Sequence, residues 1–467
     1  MEETKSKGRG KFNIYAYIKN PVKADIIRLS WPIVLELIMG TLFGMVDMIM
    51  LGRLSNLGEA AASVAAVGIT NQPMFVGLSL VQALNVGGTA MIARYLGSGR
   101  KDRIESTLKH TIILNLLGLG IPLGALGIVF SNQIMQFMGA GQDVIGIGNL
   151  YFRIIMVGFI FQSFNMSITA ALRGVGQTKV PMKINILVNF LNVIGNATLI
   201  YGLFGAPRLG ITGAGISTAL SNIIASMLLL AFVLKGDSVV RLNFRNRFRF
   251  NRDIMTNLVK IGVPASLESL ALRVAILIFV KIVTGLGTVV YAAHQIALSI
   301  LGLSFQPGQG FGIAASSLVG RSLGAGNPSK AEEYAKETRR MGSIVSSLIA
   351  AAFFFFAEQI VSLYSADPEI IRNASGALRI IALVQPFQSS QLILAGALRG
   401  AGDTFWPLLA TFIGALPFRL IIAYVLVNNL GMGLTGAWAA VLVDQLVRWF
   451  FVITRFRTGK WKYIKIR

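Results

Sequence analysis

Residues 29–50 read LSWPIVLELIMGTLFGMVDMIM, an apolar stretch long enough to cross a bilayer that nevertheless carries Glu36 and Asp47. An ionised carboxylate near mid-membrane costs at least about 3 kcal/mol even on the gentlest insertion scale. The two acids stand eleven residues apart, which at about 100° per residue returns them to within about 20° of one helical face. Gly40 lies near that face. The stripe cannot face lipid, so it is expected to face a bundle interior or a watery cavity, or to pair with cations on neighbouring helices. Pro32, one turn before Glu36, predicts a kink or hinge there.

The rest of the chain is of the same kind. Of 467 residues, 54% are hydrophobic and 13% charged, and long apolar stretches recur from end to end, as in a membrane protein. The residues before Arg28 are polar and basic with no apolar signal core, so the first span is expected to act as a retained insertion signal. The chain has no cysteine and only two histidines, His110 and His294. That excludes thiol catalysis, Cys-type zinc sites, disulfides and multi-histidine metal sites.

Twelve candidate spans fall near 29–52, 60–92, 108–130, 148–171, 180–203, 212–234, 256–283, 287–319, 341–363, 373–397, 405–428 and 434–454. With the N-terminus inside, the inner segments collect nearly all extramembrane basic residues. They include Lys5, Lys7, Arg9, Lys11, Lys19, Lys23 and Arg28 before the first span, Arg173 and Lys179 between the fourth and fifth, and Arg399 after the tenth. The linker from Lys235 to Lys260 and the tail from Arg455 to Arg467 add more. The outer segments keep only Arg53, Arg153, Arg208, Lys281 and Arg372. This is the positive-inside bias, and it accounts for the net charge of +23 by topology and contact with an anionic inner leaflet, without nucleic acid.

The chain also repeats itself. ALRGVGQT at 171–178 returns as ALRGAGDT at 397–404, ARYLGSG at 93–99 as GRSLGAG at 320–326, and FQSFN at 161–165 as FQSSQ at 387–391. GITGAG at 210–215 answers GLTGAW at 433–438, and Pro32 with Glu36 is matched by Pro264 with Glu268. Each half holds six spans, so both enter the membrane in the same sense. The expected fold is an all-α integral membrane protein, with twelve transmembrane helices in two pseudo-symmetric six-helix bundles, parallel repeats around a central cleft. The divisions are a cytoplasmic tail 1–28, an N-lobe 29–234, a basic linker 235–253, a C-lobe 254–454 and a basic tail 455–467. The glycines of the repeated motifs are read as turn chemistry at helix ends.

Polar residues inside the spans mark candidate sites. Asn185, Asn189, Asn192 and Asn196 share one stripe of the fifth span. They can supply carbonyls to a cation such as Na⁺, relay hydrogen bonds to a carboxylate, or join helices. Four on one stripe exceeds what joining helices requires, and Thr218 on the sixth span is a further ligand candidate. Glu268 and Arg273 lie on different faces of the seventh span and are expected to find partners on other helices. Asp444 and Arg448 are spaced i, i+4 and read as an internal salt bridge. His294 reads as a hydrogen-bonded packing histidine or a proton-responsive group.

Together, Pro32 with Asp47, YAAHQI at 291–296, LVGRSLGAG at 318–326, ALRGVGQTKVP and ALRGAGDTFWP resemble the multidrug and toxic compound extrusion (MATE) family, over essentially the whole chain. The resemblance implies secondary antiport, with H⁺ or Na⁺ entry driving expulsion of organic cations and other amphiphiles. It puts Asp47 at the first-helix coupling aspartate of the DinF-like branch, with Asn192, Asn196 and Thr218 around it. Asn196 stands where that branch has an aspartate, so Asp47 is the only acid expected in the N-lobe site. Glu268 matches the seventh-helix glutamate of the NorM-like branch, but the tenth-helix aspartate of that branch is missing.

On this reading Asp47 exchanges a proton or binds Na⁺ near neutral pH, and the first helix hinges at Pro32, as the seventh does at Pro264. Drug is expected in a cleft walled by Phe161 and Phe387 with Glu36, Gln162, Asn165, Asn189, Gln388 and Gln391. Small amphiphilic or cationic drugs and the bilayer are the expected partners of a monomer in the cell membrane, both termini cytoplasmic, with no cofactor beyond the ion. A flippase for lipid-linked sugars is the alternative. It calls for a strongly cationic central cavity, for which only Arg273 and Arg419 are candidates. A membrane-embedded enzyme lacks a visible catalytic constellation, and two non-identical halves do not supply the filter ring of a channel.

Overall fold

The computed structural model describes residues 20–54, 57–236, 238–243 and 248–464. Lys5, Lys7, Arg9, Lys11 and Lys19 of the tail, Arg245 and Arg247 of the linker, and the last three residues lie outside them. Among the described residues twelve long helices follow one another. The first half contains α1 (Pro21–Gly52), α2 (Leu57–Gly97), α3 (Lys101–Val129), α4 (Gln142–Gly174), α5 (Lys179–Tyr201) and α6 (Gly210–Lys235). The second contains α7 (Arg252–Thr284), α8 (Thr288–Gly324), α9 (Pro328–Phe355), α10 (Pro368–Gly400), α11 (Phe405–Asn429) and α12 (Gly433–Arg457). Ten are long and apolar enough to cross a membrane by composition alone. The other two are α7, which carries Glu268 and Arg273, and α9, whose first half PSKAEEYAKETRR is charged.

Most helices match the expected spans and overrun them by a turn or two. The ninth differs. Its helix begins at Pro328, capped by the Asn327 side chain, and breaks at Phe356 before a short helix Ala357–Ser362. The apolar run continued through the break, so hydropathy could not see it. Pro32 and Pro264 lie inside α1 and α7, which stay helical through them.

Within each half, the first helix packs against the fifth: α1 on α5, α7 on α11. Each first helix also reaches across, α1 to α8 and α7 to α2. Close approaches between the halves cluster toward the end that holds the linker and the turns after α2, α4, α8 and α10, here the linker end. A Cβ at Gly310 would meet Val34 at 2.5 Å, and one at Gly262 would meet Leu84 at 2.7 Å. At the very end the contact is reciprocal. A Cβ at Gly97 would sit 2.0 Å from the Arg321 carbonyl oxygen, and one at Gly324 would sit 2.1 Å from that of Arg94. Toward the far end, a Cβ at Gly40, Gly44, Gly68 or Gly302 would meet nothing within 4 Å.

This corrects the reading of the repeated glycines as turn residues only. In both ARYLGSG and GRSLGAG the last glycine makes the turn, with φ of 73° at Gly99 and 70° at Gly326, a region that L side chains avoid. The glycine two residues earlier, Gly97 or Gly324, is needed because the opposite half's backbone occupies the space a side chain would fill.

Candidate functional site

Asp47 sits late on α1, half-buried, facing α5 and α6. Asn196 donates its amide to Asp47 Oδ1 at 2.7 Å. With the Asn192 amide oriented so that donors meet acceptors, its nitrogen also reaches Asp47 Oδ1, at 3.2 Å. Its oxygen then accepts from Ser217 Oγ at 3.3 Å and from the Thr218 backbone N–H and Oγ1 at 3.2 and 3.3 Å. The four-residue spacing of Asn192 and Asn196 is what brings both amides to one carboxylate. Ser217, whose single hydroxyl proton is shared between that Asn192 side-chain oxygen and the Asn192 backbone carbonyl oxygen, the latter at 2.9 Å, was not singled out in the sequence, although it adjoins Thr218. The buried Asn196 Oδ1 accepts no hydrogen bond among the described residues. A carboxylate, an open amide oxygen and a hydroxyl form an oxygen-donor set that suits a hard monovalent cation or a proton.

Three other acids inside the apolar spans, Glu36, Glu268 and Asp444, are paired with arginines. Glu36 is buried and accepts from Arg173 Nη2 at 2.9 Å and from Asn185 Nδ2 at 2.5 Å. The second half repeats the arrangement. Arg399 Nη2 donates to both oxygens of Glu268 at 2.7 Å, and Thr411 adds a bond at 3.2 Å. Asp444 meets Arg448 as expected from their spacing, Nε to Oδ1 at 2.8 Å, but it also takes Arg419, Nε to Oδ2 at 2.9 Å. Among the described residues Asp47 alone of these acids has no cationic partner. Pairing of Glu36 to a cation on a neighbouring helix was one of the two readings, and Glu268 was expected to find a partner on another helix. What was missed is that the partners are Arg173 and Arg399, which were read only as inner-side topology charges. A signal was present: the Pro-x-x-x-Glu and Ala-Leu-Arg-Gly motifs recur together in both halves with opposite charges.

The arginines offered for a cationic central cavity do not provide one. Arg419 is buried but held by Asp444, and its guanidinium lies over the Phe279 ring at 5.7 Å. Arg273 is only half-buried and stacks on Phe75 of α2 at 5.6 Å. His294 is fully buried between Phe279 and Trp438, with ring centroids 5.7 and 5.6 Å away, and neither ring nitrogen has a partner among the described residues. The expected hydrogen bond is therefore absent, and its faces do the packing.

The expected cleft residues disperse. Asn165 joins α4 to α6, donating to the Asn222 carbonyl oxygen at 3.0 Å and accepting from Ser226 at 2.7 Å. Asn189 is half-buried on α5 between the two clusters. Gln162 Oε1 and Gln388 Oε1 are buried without partners among the described residues, and Gln391 is buried. Phe161 is half-buried on α4. Phe387 meets Trp449 edge-on at 5.4 Å in a groove of the second half. A polar cluster that sequence reasoning passed over lies beside a π-helical turn of α3, where Asn115 donates to Asn85 at 2.7 Å and to Ser167 at 2.9 Å.

The chain was compared with known proteins. A family model described as MatE matches residues 32–198 and 264–425, one match in each half. The chain is 29% identical over 452 residues to a probable multidrug resistance protein NorM of Thermotoga maritima, covering 94% of this chain and 93% of the relative. It is 29% identical over 431 residues to the multidrug resistance protein PmpM of Pseudomonas aeruginosa, covering 90% and 88%. A crystal structure of MATE in the straight conformation superposes with a TM-score of 0.86 at 25% identity, covering 94% of this chain and 97% of the other.

Proposed function

The chain belongs to the MatE family of membrane transporters, and from that premise we propose that it is a multidrug efflux antiporter. It exports organic cations and amphiphiles in exchange for H⁺ or Na⁺, as a monomer with both termini in the cytoplasm. Its relatives' names as multidrug resistance proteins support the substrate class. The observation that carries the mechanism is the pairing pattern. Glu36, Glu268 and Asp444 each have an arginine, whereas Asp47 is held by neutral amides. A carboxylate in a membrane helix without a counter-cation needs a proton or a metal cation for neutrality. Asp47, with Asn192, Asn196 and Thr218 around it, is therefore assigned as the coupling site. Glu268 would have to exchange Arg399 for the ion in order to share that role.

The lobes are taken as 29–234 and 254–454, the linker end as cytoplasmic. The lobes then meet at the cytoplasmic side and part toward the outside, the arrangement from which drug leaves. Loading Asp47 on α1 biases the lobe contact that α1 makes with α8, and Pro32 and Pro264 are the candidate hinges. One monovalent cation entering down 100 mV yields about 2.3 kcal/mol, and a tenfold gradient adds about 1.4 kcal/mol. Together these support roughly a several-hundred-fold drug gradient if the exported drug moves no net charge.

The test is efflux of a fluorescent cationic dye from proteoliposomes under separately imposed pH and Na⁺ gradients, with Asp47→Asn alongside. One gradient is expected to drive efflux in the wild type and not in the variant. If neither gradient moves dye while a labelled lipid-linked sugar crosses, the antiport assignment fails.

A further inference from the structure

We propose that the groove between α9, α10 and α12 holds an anionic phospholipid of the cytoplasmic leaflet. The groove encloses about 1000 Å³ and is graded along its length. At its linker end it is lined by Lys336, Arg339, Arg340 and Arg457. Two carboxylates, Glu332 and Glu337, share that rim but are engaged. Glu332 is bridged by Lys336 at 2.7 Å and by Lys462, and Glu337 lies 3.9 Å from Arg340. Arg339 and Arg457 form no ion pair among the described residues, so the rim presents net positive charge.

Away from the rim the lining turns apolar: Ile344 and Leu348 on α9, Phe387 on α10 and Trp449 on α12. The helix directions make this a gradient in membrane depth. Helix α9 runs away from the linker end, so Leu348 lies about 12 Å deeper than Arg340 at 1.5 Å per residue. Helix α12 runs toward it, so Trp449 lies about 12 Å deeper than Arg457 by the same rise. Cations at the interface over an apolar and aromatic slot match a phosphate headgroup above acyl chains. Ile344 and Leu348 are 50% and 68% exposed, which leaves the slot open sideways to the bilayer. Trp449 is fixed by donating to Ser390 Oγ at 3.1 Å and by its edge contact with Phe387. Trp461 of the C-terminal turn stacks on Phe456, another groove residue, at 5.1 Å. Charge also separates this groove from the export path, because a cationic drug is repelled by the rim that an anionic lipid neutralises.

The inference rests on the proposed orientation, and its test needs no transport. The full chain is reconstituted into phosphatidylcholine vesicles containing a fixed fraction of either acyl-brominated phosphatidylglycerol or acyl-brominated phosphatidylcholine. Quenching of tryptophan fluorescence is measured for the wild type and for Trp449→Phe, and the difference isolates Trp449. Brominated phosphatidylglycerol is expected to quench that component several-fold more strongly than brominated phosphatidylcholine. The preference should vanish in the Arg339→Gln, Arg457→Gln double variant and persist with lysine at both positions. Equal quenching by the two lipids overturns the proposal, leaving the groove an ordinary bilayer contact. Loss of the preference on adding inorganic phosphate at constant ionic strength also overturns it, in favour of a free-anion site. Dye efflux in the same vesicles is scored separately, so a failure of the lipid site and a failure of the antiport assignment are told apart.

Discussion

Replacing Gly324 by alanine should open the linker end of the transporter. The new Cβ would lie 2.1 Å from the Arg94 carbonyl oxygen, 2.8 Å from the Arg94 carbonyl carbon and 2.9 Å from its Cα. These are backbone atoms on the other lobe, so no side-chain rotation relieves the clash. Restoring an ordinary contact of at least about 3 Å requires the lobes to part by roughly 1 Å at that point. Overpacking of this kind costs about 1–3 kcal/mol. The cost falls only on the state in which the lobes touch there, because in the inward-open state they separate. The equilibrium should therefore move toward inward-open by about fivefold to 150-fold, at tenfold per 1.4 kcal/mol. Gly97→Ala should do the same, since its Cβ would meet the Arg321 carbonyl oxygen at 2.0 Å. Because the chain has no cysteine, spin labels can be placed cleanly at Lys101→Cys and Ser329→Cys, near the starts of α3 and α9. Pulsed electron paramagnetic resonance should then show a longer distance population in both glycine variants. Gly99→Ala is the control. Its φ of 73° makes it strained, but no atom lies within 4 Å of its Cβ, so it should cost stability of about 1 kcal/mol without moving the distance. Unchanged distances in both Gly97→Ala and Gly324→Ala would refute the assignment of these glycines as the inner gate.

Removing Arg173 leaves Glu36 buried beside Asn185 alone, so Arg173→Gln should lower stability by about 3–5 kcal/mol. Adding Glu36→Gln should recover most of it, both read from thermal unfolding in detergent. His110 accepts the Asn251 backbone N–H at 2.8 Å and bonds the Ser106 carbonyl oxygen at 2.7 Å, holding the linker to α3 where α7 begins. His110→Phe should therefore cost about 1–3 kcal/mol through the unpaired backbone group and speed proteolysis in the linker. At the linker end, hydrogen bonds from Lys336 and Lys462 hold the Glu332 carboxyl below the usual glutamate range. A depressed folded value means the stabilisation is present above the ordinary glutamate range and is lost as pH falls through the folded value. Protease sensitivity of the C-terminal turn should accordingly rise at acid pH, and Glu332→Gln should make the turn sensitive at neutral pH as well.

Much of this molecule follows from sequence alone, because a bilayer imposes rules that act locally along a chain. Apolar length set the twelve spans, the repeated motifs set the two halves, and the one-sided basic charge implied an orientation. The period of the helix brought Asn192 and Asn196 to the same side, and the cost of a membrane carboxylate singled out Asp47. What needed the tertiary structure was pairing. Glu36 and Arg173 are 137 residues apart, and only packing α1 against α5 beside the end of α4 brings them together. That pairing distinguishes Glu36, already neutralised, from Asp47, which is not. Gly97 and Gly324 looked like their turn-forming neighbours because a glycine's sequence signature is the same whether it supplies a positive φ or a missing side chain. The break at Phe356 and the groove graded from arginine to tryptophan were equally hidden. Local periodicity reports which face of a helix is apolar, whereas the partner that face meets depends on which helices become neighbours in three dimensions.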